Sequence, residues 1–317
     1  MGADIVVVGS LNMDLSVKVT RRPLKGETVL GSAFLASPGG KGANQAFAAG
    51  RLGASVAMIG KVGDDAFGGQ LLSRLGEAGV DVSGIATVAD VPTGIASIQV
   101  DPEGDNSIVV APGANETLVP ADIRARERLI AEAKLLMVQL EIPLDTVLEA
   151  ARLARKHGVP VLLDPAPARE LPAELLALVD YIVPNESEIA ELTGIAVSDK
   201  ASAIQAANDL MSRGVATVFS KLGANGVVVI RKEEAFTVAG YRVVPVDTTA
   251  AGDAFAGALA TALVSGKSLK EAARFANAVG ALAVTKPGAQ SAMPDLAEAE
   301  RFMKEAAQAA ESSNSSN

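Results

Sequence analysis

The sequence predicts an α/β fold: a doubly wound, mostly parallel central sheet flanked by helices, with a small β-sheet standing off it. Three observations carry that expectation. Between positions 120 and 220, short apolar runs alternate with helical stretches at the spacing of parallel βαβ units. The first apolar run, Ile5-Val6-Val7-Val8, stops at Gly9-Ser10, as a buried strand entering a turn does. Thr93 to Val100 and Ser107 to Val110 flank the turn residues Asp101 to Asn106, a hairpin whose mixed polarity suits a small outlying sheet.

Taken in order, Leu15-Ser16-Val17-Lys18-Val19 alternates like a strand with one face in water. Gly39-Gly40-Lys41-Gly42 opens a helix from Ala43 to Leu52; Ser55 to Ile59 is a strand, and Asp65 to Ala78 a helix. The regular part follows: helix 120–133, strand Leu135–Gln139, helix 144–157, strand Val159–Leu163 and a short helix near 171–177. Strand Tyr181–Val183, helices 186–193 and 200–212, and strand Thr217–Ser220 continue it. Tyr241 to Val246 reads as short, β-rich and extended, and Ala254 to Val264 as a helix with one interior glycine. The tail, 311–317, has the composition of a disordered segment.

Composition narrows the function. The 317 residues suffice for one large α/β domain or two smaller ones. No apolar run approaches the ~20 residues a membrane span needs, and the start lacks the pattern of a signal peptide. With no cysteine, disulfides and thiolate metal sites are excluded, and a cytoplasmic protein is expected. The lone histidine, His157, reads as the basic end of a helix before a Gly cap, which disfavours zinc sites and a Ser-His-Asp hydrolase. A net charge of −9 without a basic run disfavours a nucleic-acid partner.

The stretch Asp247 to Phe255 carries most chemistry. Small residues and Gly252 let backbone approach a ligand, and the first-turn N–H groups of the following helix form a ready anion site. Asp253 at that mouth either takes a proton from a hydroxyl or merely complements the helix dipole. Gly39 to Gln45 departs from a phosphate-binding P-loop at Leu35 and Gly42. It is a glycine turn starting a helix, or a backbone pocket with Lys41 and Asn44 as donors. Asn12 and Asp14 lie two apart on one face of an extended segment, which suits sugar hydroxyls and equally suits a turn. Asn185 and Glu188 have capping-box spacing. Lys221 to Gly226 is a hairpin turn or a glycine loop under a phosphate.

From near Asp4 to Pro294 the chain resembles the ribokinase branch of the PfkB family of carbohydrate kinases. Blocks at 9–14 (GSLNMD), 39–46 (GGKGANQA), 139–141 (QLE), 165–172 (PAPARELP), 184–188 (PNESE) and 247–255 (DTTAAGDAF) carry the resemblance, in order. It implies a ribokinase-like fold over 1–310 with a β-lid from about 12–19, 33–37 and 93–112, often a dimer contact. It further implies ATP-dependent phosphorylation of D-ribose at its 5-hydroxyl, with Asp253 as general base and Ala250, Ala251, Gly252 and Asp253 as anion hole. Asn12, Asp14, Gly40, Lys41, Asn44 and Glu141 fall on sugar positions. Asn185, Lys221, Gly223, Ala224, Asn225, Gly226, Gly252 and Asn277 fall on nucleotide positions, and Glu188 places Mg²⁺ through water. Asp247, Thr249, Ala283, Lys286, Gly288 and Ala292 fall on an activating K⁺ site, where Ala292 departs from the family's frequent Ser. The alternatives are kinases of fructose, 2-keto-3-deoxygluconate or deoxyribose, and a non-catalytic sugar sensor.

Overall fold

A computed structural model describes residues 2–103, 106–232 and 234–314, with backbone only over 310–314. The chain runs β1 (Ile5–Val8), β2 (Asn12–Val19), β3 (Gly31–Gly39), α1 (Lys41–Arg51), β4 (Val56–Gly63), α2 (Ala66–Glu77) and β5 (Ile85–Val88). It continues as β6 (Gly94–Val100), β7 (Asn106–Ala111), α3 (Pro120–Arg124), α4 (Glu127–Ala131), β8 (Leu135–Val138), α5 (Leu144–Lys156) and β9 (Val161–Leu163). Next come α6 (Ala173–Leu176), β10 (Tyr181–Ile182), α7 (Glu186–Thr193), α8 (Lys200–Ser212) and β11 (Thr217–Lys221). The chain closes with β12 (Val227–Arg231), β13 (Glu234–Val238), α9 (Ala251–Val264), α10 (Leu269–Ala283) and α11 (Leu296–Asn314).

Two sheets result. The larger has the order β13-β12-β11-β10-β9-β8-β1-β4-β5 and is parallel from β5 to β11, with β12 and β13 antiparallel at one edge. It is the doubly wound sheet the alternation predicted. Because strand side chains alternate, Ile5 and Val7 enter one core with α1, α9 and α10, while Val6 and Val8 enter the other with α5, α7 and α8. The smaller sheet, β3-β2-β6-β7, is antiparallel except for the β2–β6 pair. Only Gly9, Ser10 and Leu11 separate β1 from β2, so the two sheets meet beside the carboxyl end of β1.

Three expectations need correction, and one hairpin was not anticipated. The helix expected over 120–133 breaks at Arg126, whose φ of −116° and ψ of 17° leave the helical region. Tyr241 to Val246 forms no strand: β-branched residues favour a strand only where an edge is free to pair, and here the Val246 N–H donates to the Val284 carbonyl instead. The hairpin β12–β13 was not anticipated; its five-residue register continues the apolar run after Gly226. The last helix extends to Asn314, four residues into the expected disordered tail, and 315–317 lie outside the described residues, as do Gly104 and Asp105 of the predicted turn.

Candidate active site

Asp253 lies in the first turn of α9 and is buried at 6% exposure. Its Oδ2 accepts from Asn44 Nδ2 at 2.9 Å and its Oδ1 from Gln45 Nε2 at 3.1 Å. These meetings depend on how closely α1 and α9 pack. A Cβ on Gly257 would stand 2.7 Å from the Ala48 Cβ, so only glycine allows the approach. Asn44 and Ala48, like Asp253 and Gly257, are four residues apart and share a helix face. Burial pushes the Asp253 carboxyl up to about 6, with Asp164 adding to that, against the opposing pull of Lys41 and the two amides. That lies well above the ordinary value of an aspartate in water.

The N-terminus of α9 matches the anion-hole expectation in part. Ala250 takes the left-handed conformation at φ 57°, ahead of the helix. The Ala251 N–H already donates to the Thr248 carbonyl at 3.3 Å. Among the described residues, the N–H groups of Ala250, Gly252 and Asp253 have no backbone acceptor.

Near Asp253 a cluster of polar side chains gathers at the junction of the two sheets. Glu141 Oε2 accepts from Ser10 Oγ at 2.6 Å, the Lys41 backbone N–H at 3.2 Å and Asn12 Nδ2 at 3.5 Å. Gly40, with φ 87°, brings α1 against this segment; a Cβ there would meet the Asn12 nitrogen at 2.6 Å. Asp14 lies on the same β2 face as Asn12, and burial followed by the charges of Glu141 and Asp253 raises its pKa to about 7. Although burial lowers the pKa of the Lys41 ammonium, the carboxylates of Asp253, Asp164, Glu141 and Glu188 outweigh it and raise it overall. All the residues expected at the sugar positions thus converge. Ser10, Gln45, Asp164 and Asn115 belong to the same cluster and were missed. Asn115 Nδ2 donates to Asn12 Oδ1 at 2.8 Å while its Oδ1 accepts the Leu11 N–H at 2.8 Å.

A cleft of about 670 Å³ is lined by Asn185, Lys221, Gly223, Ala224, Gly226, Gly252 and Asn277 among the expected nucleotide residues. Asn225 is exposed and does not line it. Tyr241, Val243, Pro245, Ala281 and Val284 supply apolar wall that the sequence did not reveal. Asn185 is engaged in a capping box: its Oδ1 accepts the Glu188 N–H, and Glu188 accepts from its N–H and Nδ2 at 2.7 and 2.8 Å. Asn277 Nδ2 donates to the Val238 and Ala239 carbonyls. Lys221 Nζ sits 3.5 Å from Asp164 and 3.9 Å from Glu188, whose pKa burial raises. Among the described residues no group of three or more acidic or histidine side chains could hold a metal alone. A carboxylate beside a cleft still suits Mg²⁺, which commonly takes few protein oxygens and keeps water and phosphate ligands.

Asp247 joins two loops near the start of α9. Its Oδ1 accepts the Thr249 N–H at 2.9 Å and its Oδ2 the Gly288 N–H at 2.8 Å. Burial raises its pKa, but these bonds outweigh it and hold the carboxyl below its usual range. Among the described residues, the carbonyls of Thr249, Lys286 and Gly288 accept no backbone hydrogen bond. Ala283 ends α10, Ala292 is fully buried, and the Lys286 ammonium turns away to Glu298 at 2.9 Å.

The profile of the pfkB family carbohydrate kinases matches residues 3–296. The chain belongs to that family. Among this carbohydrate kinase's relatives, the ribokinase of Haemophilus influenzae is 45% identical over 306 residues, covering 96% of this chain and 100% of the relative. A deoxyribokinase of Salmonella typhi is 36% identical over 301 residues, covering 95% and 98%. The solved structure of Arabidopsis thaliana ribokinase complexed with ribose and ATP superposes with a TM-score of 0.90 at 35% identity, covering 96% of this kinase and 99% of that chain. The doubly wound core and the separate small sheet are thus those of a ribokinase-like kinase. No described helix is long and apolar enough to cross a membrane.

Proposed function

We propose that this kinase transfers the γ-phosphoryl group of ATP to the 5-hydroxyl of D-ribose, giving ribose 5-phosphate. The observation that supports the reading is the place of Asp253: buried against Asn44 and Gln45 in the first turn of α9, next to Gly252, which lines the apolar cleft. A relative named ribokinase and a ribokinase structure holding ribose and ATP supply the sugar and the donor.

The polar cluster of Asn12, Asp14, Gly40, Lys41, Asn44 and Glu141 receives the sugar, its carboxylates accepting hydrogen bonds from the hydroxyls. Asp253 takes the proton from the attacking oxygen. Phosphoryl transfer needs mainly in-line positioning and counter-charge. The N–H groups of Ala250, Gly252 and Asp253 face the γ-phosphoryl oxygens, where one such donor is worth about 3 kcal/mol. Ala251 contributes less, because its N–H is shared with Thr248. Mg²⁺, when bound, neutralises charge across the phosphates. Glu188 would hold it through water, and Lys221 approaches the same phosphates.

Three finer elements belong to this reading. K⁺ bound by Asp247 and the carbonyls of Thr249, Ala283, Lys286, Gly288 and Ala292 would order the 250–253 loop. The small sheet would act as a lid that keeps water from the phosphoryl group. Its exposed apolar residues would pair two copies in a cytoplasmic homodimer.

A coupled assay with ATP and a panel of ribose, 2-deoxyribose, fructose and 2-keto-3-deoxygluconate decides the acceptor. D-ribose should give the highest kcat/KM by about tenfold or more, since one unmatched polar contact costs ~1–3 kcal/mol. A higher value for any other sugar overturns the assignment, deoxyribose being the competitor that the deoxyribokinase relative favours.

A further inference from the structure

We propose that Gln45 is a positioning residue for phosphoryl transfer: its one amide NH₂ group, aimed by Gln139, fixes the Asp253 carboxylate and ties it to the Asp164–Lys221 pair at the cleft. The inference rests on Asp253 being the base.

Gln45 is fully buried on α1, one residue after Asn44. Its Nε2 donates to Asp253 Oδ1 at 3.1 Å and also to Asp164 Oδ2 at 2.8 Å. Asp164 in turn lies 3.5 Å from Lys221 Nζ. One NH₂ group therefore bridges two carboxylates that belong to different parts of the site.

The orientation of that amide is determined. Ionised carboxylates only accept, so Gln45 must turn its NH₂ toward them and its Oε1 away. The Oε1 then takes Gln139 Nε2 at 2.6 Å. Among the described residues, Gln139 consequently has its own Oε1 buried with no partner. Leaving a buried acceptor unpaired is costly, and most buried polar atoms avoid it. The alternatives are worse. Exchanging O and N on Gln139 alone sets two carbonyl oxygens face to face; exchanging both sets the Gln45 oxygen against two carboxylates. The unsatisfied atom has been displaced to the end of the relay, away from Asp253. Gly9 leaves room for it, since a Cβ there would overlap the Gln139 oxygen.

The charged groups facing Asp253 are Lys41 from α1, Asp164 from the segment after β9 and Asp14 from β2. Burial and the carboxylates favour its protonated form; Lys41, Asn44 and Gln45 oppose them. Removing the Gln45 amide leaves the base easier to protonate and held through Oδ2 by Asn44 alone, without removing a contact to sugar or nucleotide. A residue that served packing alone would change stability and leave the pH profile in place.

The test uses the full-length enzyme with saturating ribose and ATP·Mg²⁺, reading kcat along the acid limb together with thermal melting. Gln45→Leu should move the limb upward by about one pH unit, the scale of one hydrogen bond to an ionised group. Its KM for ATP should stay within about threefold. Gln139→Leu, which leaves the Gln45 oxygen unpaired but does not touch Asp253, should shift the limb the same way by less. A folded Gln45→Leu enzyme with a wild-type limb overturns the proposal. If that variant does not fold, an unmoved limb in Gln139→Leu overturns it. Asp253→Asn separates the two readings: a retained rate removes the base and this proposal together, whereas a collapsed rate beside an unmoved limb removes only the role of Gln45.

Discussion

A carboxylate sealed from water, with another carboxylate nearby, holds its proton more tightly than one in solvent, and Asp253 is in that situation. As a base it must be ionised, so kcat/KM for ribose, which reports the free enzyme, should fall as pH drops through about 6, with Asp14, raised to about 7, adding to the same limb. A kcat/KM profile flat from neutral pH to well below 6 would contradict the role. Asp253→Asn should cost about 10²–10⁴-fold in kcat while ATP still binds, as general-base losses do; retention of a tenth of the rate would reassign the residue. Asp14→Ala should raise the ribose KM by about tenfold or more and leave the ATP KM nearly unchanged. Equal effects on both constants would make Asp14 structural. Asp253 and Asp14 stood out as candidates because short local patterns mark them, a helix mouth rich in small residues and polar groups two apart on a strand, while their roles came only from the family resemblance. Gln45 did not stand out, since it meets Asp164 and Asp253 across 119 and 208 residues. Nothing local announces such a meeting.

Elements set those distances, and the α1–α9 contact is the tightest example. Replacing Gly257 by valine would force the helices apart at Ala48, a cost of about 1–3 kcal/mol for overpacking. It should also loosen Asn44 and Gln45 from Asp253, so kcat should fall in the protein that remains folded. An enzyme that kept full kcat with only a lower melting temperature would show that the contact serves stability alone. The loops at 247–249 and 286–290 are joined by Asp247, and K⁺ there should raise kcat more than it alters the ribose KM. Initial rate against KCl at constant ionic strength checks this: Na⁺ should substitute poorly in a carbonyl cage sized for K⁺, and a flat curve would return Asp247 to a purely structural role. Helices α7 and α8 were legible to the residue because Asn185 and Asp199 cap their starts. Tyr241 to Val246 was misread because strand propensity says nothing about whether a partner edge exists.

At the scale of the whole molecule, five of the eleven exposed large hydrophobics among the described residues lie on the two edge strands of the small sheet: Phe34 and Leu35 on β3, and Ile108, Val109 and Val110 on β7. Exposed sheet edges invite pairing, so light scattering should return the mass of two chains, and Phe34→Glu with Val109→Glu should return that of one. A wild-type mass of a single chain would end the dimer reading. The alternation of strands and helices made the large sheet legible, whereas the meeting of the two sheets beside Leu11 was not, because it depends on Asn115 reaching back 104 residues. The order of the chain around the site has one more consequence. The polar cluster is assembled from Ser10 to Gln45 with Asn115 and Glu141, and the cleft is lined from Asn185 to Val284. On the proposed reading of these two as the sugar and nucleotide sites, acceptor choice and donor choice would be inherited on separate halves of the polypeptide. Recombining this chain with a related kinase between Glu141 and Asn185 should transmit sugar preference with the first half and leave nucleotide preference with the second.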